Sequence, residues 1–282
     1  MIAITGATGQ LGQLVIEHLL KTVPAEQIVA IVRHPAKAEA LSQQGITVRQ
    51  GDYTDPATLT TALQGVEKLL LISSSEVGQR EAQHQNVINA AKAAGVKFIA
   101  YTSLLHADRS PLGLHVEHVA TENALAASGI PYALLRNGWY TENYLASVPP
   151  ALEHGVFIGA AGEGKIAAAP RADYAAAAAR VIASEGHSGK VYELAGDNAW
   201  TLSELVAEVS RQSGKTVSYQ NLSEADFAAA LKSVGLPAGL ADMLADSDAG
   251  AAKGGLFDDS HTLSQLIGRP TTPLSQSIKA IL

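Results

Sequence analysis

A short apolar run at the start of the chain, Ile2-Ala3-Ile4-Thr5, runs into three glycines at every third position, Gly6, Gly9 and Gly12. Leu11, Leu14, Val15, Leu19 and Leu20 then recur at helical spacing, so a buried strand is predicted to turn directly into an amphipathic helix. A helix entered in this way leaves its first N–H groups without intrahelical partners. Glycines let a phosphate come close to those groups, and the helix dipole adds partial positive charge. A glycine triplet alone is a weak signal, but between strand and helix it points to a bound dinucleotide.

The rest of the first half repeats the alternation. Apolar strands are predicted at 28–32, 46–50, 66–72, 97–102 and 130–136, separated by helical patterns at 36–43, 56–63, 79–94 and 117–128. Nearly all of these strands are apolar throughout, which implies a parallel sheet covered on both faces. Right-handed crossovers place every strand's C-terminal end on one edge. The residues that follow those ends are Gly6 to Gly12, Arg33, Asp52, Ser73, Ser74, Ser75, Ser103 and Asn137. They are expected to converge there.

Beyond about residue 140 the alternation breaks down. Helices are predicted at 143–154 and 171–184, a strand at 190–194, and a capped helix start at Thr201 with Glu204 three residues on. A short strand at 217–219, helices over 223–248, a flexible link at 250–255 and a helical tail complete the pattern. The predicted fold is α/β: a doubly wound parallel sheet over 1–140 and a smaller, mostly helical region over 141–282, part of which returns to the sheet body.

Composition narrows the function classes. The 282 residues carry a net charge of −7, which argues against a nucleic-acid surface, and no cysteine, which excludes disulfides, thiolate catalysis and cysteine-held metals. Arg180 interrupts the alanine-rich 174–183 stretch, and no apolar run is long enough to span a bilayer. With Ile2 already inside a strand, no leader is expected. The expectation is a soluble cytoplasmic protein with neither nucleic-acid nor membrane partners, homodimerisation being open.

Arg33 refines the ligand. Folds that take NAD usually carry a carboxylate at the end of the second strand, to accept from the ribose 2′-hydroxyl. Here that end reads Val32-Arg33-His34-Pro35, and a guanidinium suits a 2′-phosphate, so the expectation is NADP. The plainer alternative is a solvated arginine closing a strand. Two further glycine-lysine stretches resemble phosphate loops but are incomplete. Ile166 stands where the 159–165 stretch needs a hydroxyl, and Val209 stands where Ser213-Gly214-Lys215-Thr216 needs its leading glycine. Both are expected to be turns.

His115, Glu117, His118 and Glu122 could suggest a metal cluster, His118 and Glu122 sharing a helix face. No further ligand is evident, so a charged, solvated helix face is the expectation. Gly-x-Ser-x-Gly is absent. In Asn137-Gly138-Trp139-Tyr140, Gly138 permits close backbone approach and the two aromatics offer flat walls; the alternative is that both belong to the core.

Together, Thr5-Gly6-Ala7-Thr8-Gly9-Gln10-Leu11-Gly12, Val32-Arg33-His34-Pro35, Leu134-Leu135-Arg136-Asn137-Gly138-Trp139-Tyr140 and Glu142-Asn143 resemble the NmrA-like branch of atypical short-chain dehydrogenases, over essentially the whole chain. The resemblance implies a Rossmann-type domain, a smaller C-terminal domain and a substrate cleft between them. It implies NADPH contacts at Gly6, Ala7, Thr8, Gly9, Gln10, Leu11, Arg33, Ser73, Ser74, Ser75, Asn137, Gly138, Trp139, Tyr140, Thr141, Glu142 and Arg171. The family members it is most similar to reduce quinones, with triphenylmethane dye reductases next and non-catalytic NADP-sensing regulators as the alternative. The wider superfamily's Tyr-x-x-x-Lys pair is absent. Without that proton relay the implied acceptor is already electrophilic: a quinone or similar aromatic, reduced by a positioned hydride donor. His118 stands where related reductases place a lysine, and an imidazole titrating near neutrality could donate or orient a proton.

Overall fold

The computed structural model describes residues 1–282. They form two compact units. The first is assembled from Met1–Leu104, Val116–Arg136 and Arg171–Tyr192, the second from Leu105–His115, Asn137–Pro170 and Glu193–Leu282.

The organising element is a seven-stranded sheet in the order β3-β2-β1-β4-β5-β6-β8. Its strands are β1 (Ile2–Ile4), β2 (Ile28–Val32), β3 (Thr47–Gln50), β4 (Lys68–Leu71), β5 (Phe98–Leu104), β6 (Tyr132–Asn137) and β8 (Val191–Leu194). Neighbours from β3 across to β5 pair in parallel. Leu134 N–H donates to the Lys190 carbonyl and Gly138 N–H to the Leu194 carbonyl, so residue numbers rise together across the last pair as well. Parallel strands need crossovers, which the helices α1 (Gln10–Leu19), α2 (Glu39–Gln43), α3 (Pro56–Ala62), α4 (Arg80–Ala94), α5 (His115–Ser128) and α8 (Arg171–Ala183) help to supply. The sheet is apolar on both faces because both are covered. Ala3, Val29, Ile31, Leu69 and Leu71 join Leu59, Val87, Ile88 and Leu125 from α3, α4 and α5 in one core, while α1 packs against α8. This is the doubly wound α/β fold that the alternation predicts.

In the second unit β7 (Val156–Gly159) pairs in parallel with β9 (Ser218–Asn221), a small sheet of which only the second strand, near 217–219, is foreshadowed by the sequence. Around it stand α6 (Thr141–Leu145), α7 (Val148–His154), α9 (Leu202–Ser213), α10 (Glu224–Ser233), α11 (Ala238–Ala252), α12 (Thr262–Ile267) and α13 (Leu274–Lys279). The single helix expected over 143–154 is two, because prolines enter the first turn of α7, where a missing N–H costs nothing. At Thr201 the capping box forms with both of its hydrogen bonds.

The flexible link at 250–255 is a correction. Gly250 lies inside α11, and a Cβ there would sit 2.6 Å from the Leu112 side chain; one at Gly255 would meet the same carbon at 2.6 Å. These glycines permit close packing rather than motion. No helix is long and apolar enough to cross a membrane.

Asp248 on α11 is the second unit's buried acid. Its Oδ2 accepts from Ala160 N–H at 2.9 Å and the Tyr144 hydroxyl donates to Oδ1 at 3.3 Å, but burial outweighs both and raises its pKa to about 6. A raised acid is most favourable to the fold when protonated, and that contribution is lost as pH rises through about 6. Asp248→Asn keeps an acceptor for Ala160 and removes the charge. It is expected to raise unfolding stability at pH 7.5 by about 1–3 kcal/mol, a gain that shrinks toward pH 5 in thermal melts at the two values.

Candidate functional site

The strand order reverses direction between β1 and β4, the place where open α/β sheets leave a crevice at the strand C-termini. Thr5 ties the two ends together. Its N–H and its hydroxyl both donate to the Leu70 carbonyl, at 3.1 and 3.2 Å, and its oxygen accepts from Ile72 N–H at 3.0 Å. The Tyr53 hydroxyl lies 2.6 Å from the same oxygen.

From that tie the chain turns through Gly6, whose φ of +58° lies in the left-handed region that favours glycine. Gly9 N–H closes the turn on the Gly6 carbonyl at 2.9 Å, and Gly9 is then the N-cap of α1. No side chain caps this helix and its first turn holds no acid. Open N–H groups, a dipole and no competing carboxylate make an anion site. Ala7 and Leu11 are buried beneath the loop, while Gly9 and Gln10 are exposed and Thr8 is half-buried. Gly12 serves packing: a Cβ there would come within 2.3 Å of the Gly6 carbonyl oxygen.

Arg33 follows the end of β2 and is largely exposed, with Nη1 3.1 Å from Glu76 Oε1. Gln83 Nε2 donates to the other Glu76 oxygen at 2.8 Å, so the acid is held from α4. Glu76 directly follows Ser73, Ser74 and Ser75, the segment after β4. Ser73 N–H donates to Thr102 Oγ1 at 2.8 Å, Ser74 N–H to His84 Nε2 at 2.9 Å, and the Ser74 carbonyl accepts from Arg80 Nε at 2.6 Å. The structure therefore brings Arg33 and the serine segment together on the first unit. Sequence reasoning missed Tyr53, Glu76, Arg80, His84 and Thr102. The available signal was the spacing of Arg80 and His84, four apart on one helix face.

The expectations for α5 are overturned. His118, Thr121, Glu122 and Ser128 are buried rather than solvated. His118 is buried with Nδ1 2.7 Å from the Tyr101 hydroxyl, and burial lowers its pKa to about 3, so it is neutral at pH 7 and does not titrate near neutrality. Glu122 is buried as well, accepting from Arg136 at 2.9 and 2.7 Å and from Ser103 Oγ at 2.6 Å. Glu117 accepts from the N–H groups of Gly78 and Arg80 at 2.8 and 3.1 Å. No group of three or more His, Asp or Glu side chains is placed to hold a metal ion.

On the second unit, Asn137 ends β6, Gly138 N–H donates to the Leu194 carbonyl at 2.7 Å, and Thr141 N–H donates to the Ala169 carbonyl at 3.0 Å where α6 begins. Trp139 is buried, Tyr140 and Glu142 half-buried. Asn137 is 5% exposed, and its Oδ1 has no hydrogen-bond partner. A buried acceptor left open is an invitation to a ligand donor. Arg171 opens α8 on the first unit. The two incomplete phosphate loops are turns: Gly164 is fitted against the Ala251 carbonyl, and Gly214 is the cap that ends α9.

The NmrA-like family profile matches residues 1–277. Quinone oxidoreductase 2 of Escherichia coli strain K12 is 80% identical over 278 residues, covering 99% of this chain and 97% of that protein. An Escherichia coli NADPH-dependent quinone oxidoreductase solved with NADPH superposes with a TM-score of 0.98 at 79% identity, over 100% of this chain and 99% of that one. A Citrobacter triphenylmethane reductase solved with NADP(H) gives 0.96 at 42% identity, over the full length of both chains.

The loop geometry makes a graded prediction. Gly12→Ala is expected to lose about 1–3 kcal/mol of stability through the forced shift of the Gly6 carbonyl. Gly9→Ala, whose added carbon would stand 3.1 Å from the same oxygen, is expected to lose less. Melting temperatures of the two variants check the order.

Proposed function

The chain belongs to the NmrA-like family, and from that premise we propose that it is an NADPH-dependent oxidoreductase that transfers a hydride from the cofactor to quinones. The near full-length likeness to the Escherichia coli quinone oxidoreductase carries this reading.

The residues present fit the cofactor. Gly9 opens α1 with no capping side chain and is itself exposed, Gly6 turns the chain at a φ of +58°, and Asn137 Oδ1 is an orphaned buried acceptor. Bound NADPH supplies the hydride from its nicotinamide ring. The N–H groups after Gly9, with Gly6, Ala7, Thr8, Gln10 and Leu11 around them, are assigned to the pyrophosphate. Arg33 is assigned to the 2′-phosphate, which it meets by leaving Glu76, a doubly charged oxyanion being the stronger partner for a guanidinium. Ser73, Ser74, Ser75 and Arg171 are assigned to the cofactor on the first unit; Asn137, Gly138, Trp139, Tyr140, Thr141 and Glu142 are assigned to it on the second.

No side chain of this chain is assigned as proton donor. His118 is neutral, buried and bonded to Tyr101, and the Tyr-x-x-x-Lys relay is absent. A quinone tolerates this, because its reduced oxygen takes a proton from water after the hydride has moved. Orientation of donor and acceptor then supplies most of the rate. We place the activity in the cytoplasm, where reduced nicotinamide cofactor is held.

NADPH oxidation is expected to rise well above background when a simple benzoquinone is added. NADPH binding with no quinone-dependent turnover would establish a sensor instead, and equal efficiency on a triphenylmethane dye would make dye reduction the activity. Arg33→Ala is expected to weaken NADPH at least about tenfold, as loss of a charge-assisted phosphate bond does, with NADH little changed. Equal losses for the two cofactors would remove Arg33 from the phosphate site.

A further inference from the structure

Residues 73–75 are irregular backbone, yet both main-chain polar groups of Ser74 are held by one helix. His84 and Arg80, one turn apart on α4, take them one each: His84 Nε2 accepts from the N–H, and Arg80 Nε donates to the carbonyl. An amide N–H only donates, so His84 Nε2 carries no proton and the ring proton sits on Nδ1. Nδ1 then donates to Thr121 Oγ1 at 2.9 Å, and that hydroxyl donates to the Glu117 carbonyl at 2.9 Å. Every donor in this line has a fixed direction. His84 has no solvent exposure, and burial lowers its pKa to about 3, which keeps the ring in the one state that can accept. The Arg80 charge is met by Glu117 Oε2 at 3.5 Å.

Such a network costs a buried histidine and a buried ion pair, and it serves three residues of loop. The entropy of ordering a free segment of that length would otherwise fall on whatever binds it. A loop already in shape transfers that cost to folding. We propose that His84 and Arg80 are positioning residues that hold the 73–75 segment ready for NADPH, an inference that rests on the cofactor reading above. Thr121 acts one bond further out, by fixing which nitrogen of His84 faces the loop.

The test combines amide hydrogen exchange of the 73–75 segment in the ligand-free protein with NADPH affinity and quinone turnover. His84→Leu is expected to speed that exchange and to weaken NADPH about tenfold, the loss that an orphaned N–H commonly brings, with kcat at saturating cofactor nearly unchanged. His84→Gln, whose carbonyl oxygen can accept from Ser74 N–H, is expected to recover most of both effects. A folded Leu variant with parental exchange or parental affinity overturns the proposal, as does a Gln variant no better than Leu. Should the Leu variant fail to fold, Thr121→Val, a change of near-equal volume, carries the test. It is expected to weaken NADPH in the same way, and parental affinity there overturns the proposal. A parent protein that binds NADPH but reduces no quinone rejects the quinone reading alone, since affinity still reports on the clamp. A parent that does not bind NADPH rejects both.

Discussion

The first unit depends on a helix that begins without a side-chain cap. A Ser, Thr, Asp or Asn can satisfy a helix's first N–H groups, as Asp55 does at α3, Thr201 at α9 and Ser223 at α10. At α1 the cap is Gly9, which offers nothing. The unmet donors sit at the sheet's switch point, on a turn that Thr5 fastens to both β1 and β4. Rigid support beneath and open donors above make a site that attracts an anion without reorganising for it.

The second theme is charge that has been brought indoors. α4 and α5 look in isolation like ordinary polar helices, since their polar residues leave no clean apolar stripe. In the fold Arg80 meets Glu117, Glu122 meets Arg136 and Ser103, and His84 and His118 hydrogen-bond to Thr121 and Tyr101. Each buried charge has a partner, as low dielectric requires. Around the serine segment this pairing does more than neutralise: it converts irregular backbone into backbone with assigned partners.

Much of the first unit was legible because its signals are local. A buried strand is a run of apolar residues, and a glycine loop followed by leucines at helical spacing specifies strand, turn and helix at once. Arg33 could be singled out for the same reason, by its place after a strand. What escaped was long-range. Nothing near His118 in the chain says that Tyr101 will cover it, and Glu117 finds its partner 37 residues away. Four-residue β7 is too short to show a period. The glycines at 250 and 255 were misread because a missing side chain has two physical meanings, freedom and close contact, and only packing distinguishes them. Pro149 and Pro150 sit just past the break between α6 and α7, but a proline in a first turn and a proline in mid-helix read alike without the backbone.

Ser103, at the end of β5, carries a consequence for how this scaffold could change its chemistry. Its hydroxyl is committed to Glu122, which is committed in turn to Arg136. Installing a tyrosine and a lysine would therefore not by itself convert the protein into an alcohol dehydrogenase. A new acid–base pair would enter beside three buried groups already committed to one another, and drawing any of the three into it would leave another unmatched. The route from one reductase chemistry to another passes through the interior first.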